Sequence, residues 1–316
     1  MKKLVLAAAA GAFALGAAFA AMTPAYAANE RFVFVSHAPD SDSWWNVIKN
    51  ALKVASDQMG VTVEYRNPPT GDLADMARIV QQAAASNPDG IITTIADFDV
   101  LKGPVTEAIA KGIPVITVNS GTVEQSKQLG ALLHIGQPEY DAGYGAGERA
   151  KAAGVTKFLC VNHYITNPAS VDRCKGFADA LGVDLGSQMI DSGMDPSEVK
   201  NKVLAYLRAN PDTNGILALG PNSAEPTIEA LKENGMAGKI FFGTFDLSSA
   251  ISAAVKDGTI NFAIDQQPFL QGYLPVVLLT NYVRYGVIPP NSINSGPGFI
   301  TKDNISKVEA LAGEYR

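Results

Sequence analysis

Short apolar runs alternate along this chain with longer stretches in which apolar residues recur every three or four positions. Phe32-Val33-Phe34-Val35 is followed by residues 44–59, where Trp45, Ile48, Leu52, Ala55 and Met59 mark one helical face. The β-branched run 61–65 predicts a second strand, and Asp72 is placed to cap a helix that reaches Ala85. Strands at 90–94 and 113–117 flank a helix at 99–111. After Gly136 the alternation begins again with a helix at 139–153, a strand at 157–161 and a helix at 168–181. Strands near 184–190, 215–219, 239–243 and 260–264 follow, separated by helices 196–209, 223–234 and 248–256. A long helix, 268–286, comes after them. Nearly continuous apolar strands belong to parallel sheets covered on both faces, and their alternation with helices predicts βαβ units. The chain therefore reads as α/β, with two doubly wound parallel-sheet lobes.

Open sheets of this kind bind ligands beyond the carboxyl ends of their strands, so the residues there are the candidates. After the first strand comes Ser36-His37-Ala38-Pro39-Asp40-Ser41-Asp42-Ser43-Trp44-Trp45, with both tryptophans of the protein side by side. Adjacent helical positions point about 100° apart, so one core does not readily take both rings. An indole face stacks on the C–H surface of a sugar ring while neighbouring carboxylates take the hydroxyls. Asp246 ends Gly243-Thr244-Phe245-Asp246, Gln266 follows the strand 260–264, and Arg173 lies in the helix 168–181. Together they offer the donors and acceptors a polyhydroxylated ligand needs, although each alone also suits a solvated loop or a helix cap.

Other features narrow the function. Lys2 and Lys3 precede an uncharged apolar stretch that ends at Pro24 and Ala25-Tyr26-Ala27, the three parts of a secretory signal, so residues 1–27 are expected to be cleaved. A net charge of −6 without a long basic run speaks against nucleic acid as a partner. In an exported protein Cys160 and Cys174 could form a disulfide, or remain two buried thiols; both readings stay open. No G-x-G-x-x-G follows the first strand, and there is no G-x-S-x-G, Walker loop or H-E-x-x-H. Gly143-Tyr144-Gly145-Ala146-Gly147 lies inside a helical stretch and is expected to serve close helix packing. The histidines His37, His134 and His163 have no metal-ligand spacing, so no metal and no cofactor are expected.

The chain resembles the type I periplasmic sugar-binding proteins of ABC importers, the ribose- and galactose-binding group. The resemblance rests on the double aromatic after the first strand, Gly112-Ile113-Pro114-Val115-Ile116-Thr117, Arg173-Cys174-Lys175-Gly176-Phe177, Gly243-Thr244-Phe245-Asp246 and Gln266-Gln267-Pro268. It implies two lobes joined by three crossings, 28–136 plus 267–295 and 137–266 plus 296–316, which close on one monosaccharide. By position it implies stacking aromatics at Trp44 and Trp45, a polar residue at Asp42, a guanidinium clamp at Arg173, a carboxylate at Asp246 and a hinge amide at Gln266. Thr94 falls where the family usually has an amide, and Met194 where it often has an aromatic. The chain departs from the pattern with Asn119-Ser120 in place of Asp-Arg, Gly220 with Asn222 two positions on in place of an asparagine, and a longer loop containing His37. These departures favour a different monosaccharide, a sugar alcohol or an inositol over ribose or galactose. Arg173 beside a histidine also keeps sugar acids in view.

The expected protein is thus a monomeric, non-enzymatic receptor in the periplasm that binds a sugar or polyol and delivers it to a membrane permease. Presentation to a chemoreceptor or kinase and an exported sugar-processing enzyme are the alternatives.

Overall fold

The computed structural model describes residues 29–316, so the proposed export signal lies outside the described residues. The first sheet is built from β1 (Arg31–Val35), β2 (Thr62–Arg66), β3 (Gly90–Thr93), β4 (Val115–Val118), β5 (His134–Gly136) and β11 (Ile293–Asn294), in the order β11-β5-β4-β3-β1-β2. Its helices are α1 (Trp45–Met59), α2 (Leu73–Ala85), α3 (Phe98–Ala110), α4 (Val123–Leu129) and α10 (Pro268–Tyr285). The second sheet contains β6 (Phe158–Asn162), β7 (Met189–Asp191), β8 (Gly215–Ala218), β9 (Phe241–Phe245), β10 (Phe262–Asp265) and β12 (Gly298–Ile300), in the order β12-β10-β9-β8-β6-β7. It carries α5 (Glu139–Ala152), α6 (Pro168–Leu181), α7 (Pro196–Ala209), α8 (Pro221–Glu233) and α9 (Ser249–Asp257). The chain passes between the sheets three times, after β5, after β10 and between β11 and β12. No helix among the described residues is long and apolar enough to cross a membrane.

Strand alternation explains the layering. Phe32 and Phe34 pack with α1 and α10 on one face of the first sheet, while Val33 and Val35 pack with α2 and α3 on the other. In the second sheet Leu159 and Val161 face α7, α8 and α9, and Phe158 and Cys160 face α5 and α6. With both faces covered, the strands must be apolar throughout, as their sequences are.

Three features depart from the expected pattern. β12 runs antiparallel to β10, because the third crossing re-enters the second sheet without a helix to reverse it. The segment near 184–190 is a 3-10 turn at 186–188 followed by β7, a short edge strand whose side chains are only half-buried. Residues 312–316 pack back on the first lobe: the Asn50 amide donates to the Glu314 carbonyl, and the Tyr315 ring meets Phe269 edge-on.

Gly143, Gly147 and Gly176 bring α5 and α6 into close contact. A Cβ at Gly143 would overlap the Arg173 carbonyl, and one at Gly176 the Tyr140 carbonyl. Backbone cannot retreat there without parting the helices. Gly176→Ala is therefore expected to cost about 1–3 kcal/mol and lower the melting temperature by several degrees, whereas Gly103→Ala, inside α3 with open space around it, raises it slightly. Differential scanning calorimetry of the two variants checks this; equal melting temperatures would contradict it. Cys160 of β6 and Cys174 of α6 are joined as a disulfide across 14 positions. By loop entropy it contributes about 3 kcal/mol. It also pins α6, and with it the neighbouring Arg173, to the sheet.

Candidate ligand cleft

The carboxyl ends of the two sheets face one another, and the loops leaving them line a single cleft. Its walls include His37, Asp42, Trp44, Trp45 and Asn119 from the first lobe, Arg173, Asn222 and Asp246 from the second, and Gln266 from a crossing. Nine of the sequence candidates thus meet in one place. Thr94 stands one step behind, its hydroxyl 3.0 Å from His37 Nδ1. Met194 is not among the lining residues; it lies half-buried in the turn after β7, at the far edge of the second sheet.

The two tryptophans take different places. Trp45 is 3% exposed and packs edge-on against Phe34 and His37, so it belongs largely to the core. Trp44, just before α1, is half-buried, sits 5.1 Å from Trp45 in a T-shaped pair, and lines the cleft with Asp246 of the opposite lobe, whose pKa it helps to lower. Asp42 accepts from the Trp44 backbone N–H, 3.2 Å, and from the Asn222 amide across the cleft, 3.4 Å. The Asn167 amide donates to the Ser120 hydroxyl, 3.1 Å, and the His37 and Tyr164 rings stack at 5.6 Å. All four pairs join one lobe to the other or close the loop that does so. They leave a cavity of about 60 Å3 between the lobes.

Arg173 is held from several sides. Its Nε and Nη2 donate to the two oxygens of Glu139 at 2.6 and 2.8 Å, Nη1 donates to the Leu219 carbonyl at 3.0 Å, and the guanidinium lies 4.3 Å over the Phe245 ring. Burial works to lower its pKa, but the Glu139 charge and hydrogen bonds outweigh that and leave it raised. Two of its five N–H groups remain for a ligand, and its charge is already neutralised. The sequence expectation that Arg173 could hold a sugar carboxylate is corrected by this pairing.

Asp246 is 5% exposed, and its backbone takes the left-handed conformation, φ 64°, which aims the residue out of β9. Burial raises its pKa to about 7, against the opposing pull of Arg173 and of the Gln266 amide, which donates to Oδ1 at 2.8 Å. Burial also raises Asp42. His37 and His163 are each held neutral, with pKa lowered to about 4 by burial, His163 also by Arg173. The cleft is therefore rich in acceptors, and among the described residues that line it there is no free cation.

An amide chain links the lobes at the hinge. Asn119, also left-handed at φ 60°, donates to Gln266 at 3.3 Å and to Gln271 at 2.9 Å, and Gln266 passes the chain on to Asp246. A side chain at Gly220 would start 3.2 Å from His163 Cε1, so the glycine and the histidine fit as a pair. Sequence reasoning missed Ser120, Glu139, His163, Tyr164 and Asn167 in this region. Tyr164 and Asn167 follow β6 more closely than Trp44 follows β1, so the strand-end rule applied to residues 163–167 finds them. Glu139 had no such signal, because its role is visible only once α5 packs on α6.

Comparison with known proteins places this cleft in context. The periplasmic binding protein domain matches residues 32–286. A xylose/arabinose-binding protein from Sulfolobus acidocaldarius is 25% identical over 300 residues, 90% of this chain and 74% of that protein. A D-ribose/D-allose-binding protein from Pseudomonas aeruginosa is 28% identical over 206 residues, 62% of this chain and 63% of that protein. The structure of a carbohydrate transporter from Acidothermus cellulolyticus, in complex with myo-inositol, superposes with a TM-score of 0.84 at 30% identity, covering 91% of this chain and 100% of that one.

Proposed function

This chain belongs to the periplasmic binding protein domain family, and from that premise we propose that it captures a neutral monosaccharide or polyol between its lobes and delivers it to an ABC permease. One observation carries the reading: Trp44 of the first lobe and Asp246 of the second meet across the cleft, between the carboxyl ends of both sheets. An indole face beside carboxylates and amides is the chemistry that recognises a hydroxylated ring. A ligand touching both lobes favours the closed form, and a permease can read closure as occupancy. Binding without turnover is part of this reading, and a bound sugar recovered unchanged after long incubation with the protein tests it. The export signal, cleaved after Ala27, sends the chain to the periplasm; the mass of the protein recovered from that compartment tests the cleavage point.

The acceptor-rich cleft sets the ligand class. Pentoses, hexoses, sugar alcohols and inositols are expected to include at least one that raises the melting temperature and quenches tryptophan fluorescence. Uronic and aldonic acids are expected to do neither, because a carboxylate would be buried beside Asp42 and Asp246 with Arg173 already paired. A thermal-shift screen across these classes tests both statements. Stabilisation by acids alone would overturn the reading.

A further inference from the structure

Beside the cleft lies a second, larger cavity of about 430 Å3, within the range of small-molecule sites. The two adjoin along a thin wall: Ser120, Asn167 and Arg173 line the cleft, their neighbours Gly121, Pro168 and Glu139 line the chamber, and Ala169 is common to both. Like the cleft, the chamber is made by both lobes. Phe98 at the start of α3 and Tyr140 in the first turn of α5 supply one ring from each side. Gln125 and Asn294 add amides, and Glu124, Asp141 and Asp172 add carboxylates.

We propose that this chamber is a second binding site, for an uncharged hydroxyl-rich ring of monosaccharide size. A ring from each lobe suits the C–H surface of such a molecule, and the amides and carboxylates suit its hydroxyls. Among the described residues no lysine or arginine lines the chamber, and burial holds the pKa of His134 at about 4, so a carboxylate or phosphate ligand finds no cation in its walls. Partial burial raises the pKa of Asp172, which marks its carboxylate as incompletely solvated. Because the walls come from both lobes, occupancy favours closure, and the two sites are expected to strengthen one another reciprocally. The inference goes beyond the cleft reading and uses it only for the choice of probes.

The protein supplies its own means of telling the sites apart. Both of its tryptophans line the cleft and neither lines the chamber. Tryptophan fluorescence thus reports the cleft, whereas titration calorimetry reports both sites. Myo-inositol, D-xylose, D-arabinose and D-ribose serve as probes, up to roughly 10 mM. At least one is expected to give a second calorimetric phase that Tyr140→Ala weakens by about tenfold or more, with the fluorescence midpoint moving by less than about threefold. Phe98→Ala repeats the test from the other lobe. The absence of a second phase with all four probes, or a second phase that both variants leave unchanged, overturns the proposal. Silence in fluorescence alone counts against the cleft reading, and a calorimetric phase lost in Tyr140→Ala then still supports the chamber.

Discussion

Arg173→Met lowers the melting temperature by roughly 10 °C, and the second substitution Glu139→Gln restores most of the loss. Both side chains are more than nine-tenths buried, and each is the charge that makes the other tolerable. Removing the guanidinium strands a carboxylate in the interior, which costs about 3–5 kcal/mol, whereas removing both charges leaves no ion to be solvated. The single variant also frees the Leu219 carbonyl and uncovers the Phe245 ring. Ligand binding is lost in both variants, because the two free N–H groups of Arg173 are gone in each. Calorimetric unfolding of the two variants beside wild type measures the effect. An Arg173→Met protein as stable as wild type would show that the pair is not what holds α5 and α6 at the cleft.

Asp246→Asn raises stability above pH 7 while reducing ligand affinity by about a hundredfold or more. The folded carboxyl keeps its proton up to about pH 7, chiefly through burial, whereas in the unfolded chain it loses it near its ordinary value of 3.8. Between those values the folded state binds the extra proton, so stability falls as pH rises through the window and the loss is complete above about 7. The penalty at pH 8 is on the order of 2–4 kcal/mol. Asparagine escapes it and still accepts from Gln266. Below pH 4 the two proteins should melt alike. Binding follows the opposite course: the ionised carboxylate is the better acceptor, so affinity for a neutral polyol should rise with pH up to about 7 and then level off. Melting curves at pH 4 and 8, with binding isotherms over the same range, decide the matter. A wild-type protein that is no less stable at pH 8 than the variant would contradict the assignment.

Both predictions turn on residues that sequence reasoning treated unequally. Arg173 and Asp246 stood out because they occupy a helix and a strand end that the alternation of apolar runs locates. Asp246 was read as a helix cap or a ligand acceptor; its buried, proton-holding state needed Arg173, Gln266 and Trp44 brought from three other segments. Arg173 suggested a free cation until Glu139, 34 positions away, occupied it. Met194 goes the other way: the family resemblance implies a cleft wall there, but β7 is an edge strand and its turn lies away from the switch between strands. α4 and β5 were missed because they are short, seven and three residues, and carry too few apolar positions to show a period.

The sequence alone therefore determined the two parallel-sheet lobes, since apolar periodicity is a local property written along each strand and helix. It also determined which loops line the cleft between them, because strand ends follow from strand positions. Which charges remain available there was decided only in three dimensions. Coulomb energy and desolvation depend on the distance between groups and on the water excluded around them, and segments far apart in the chain set both when they pack.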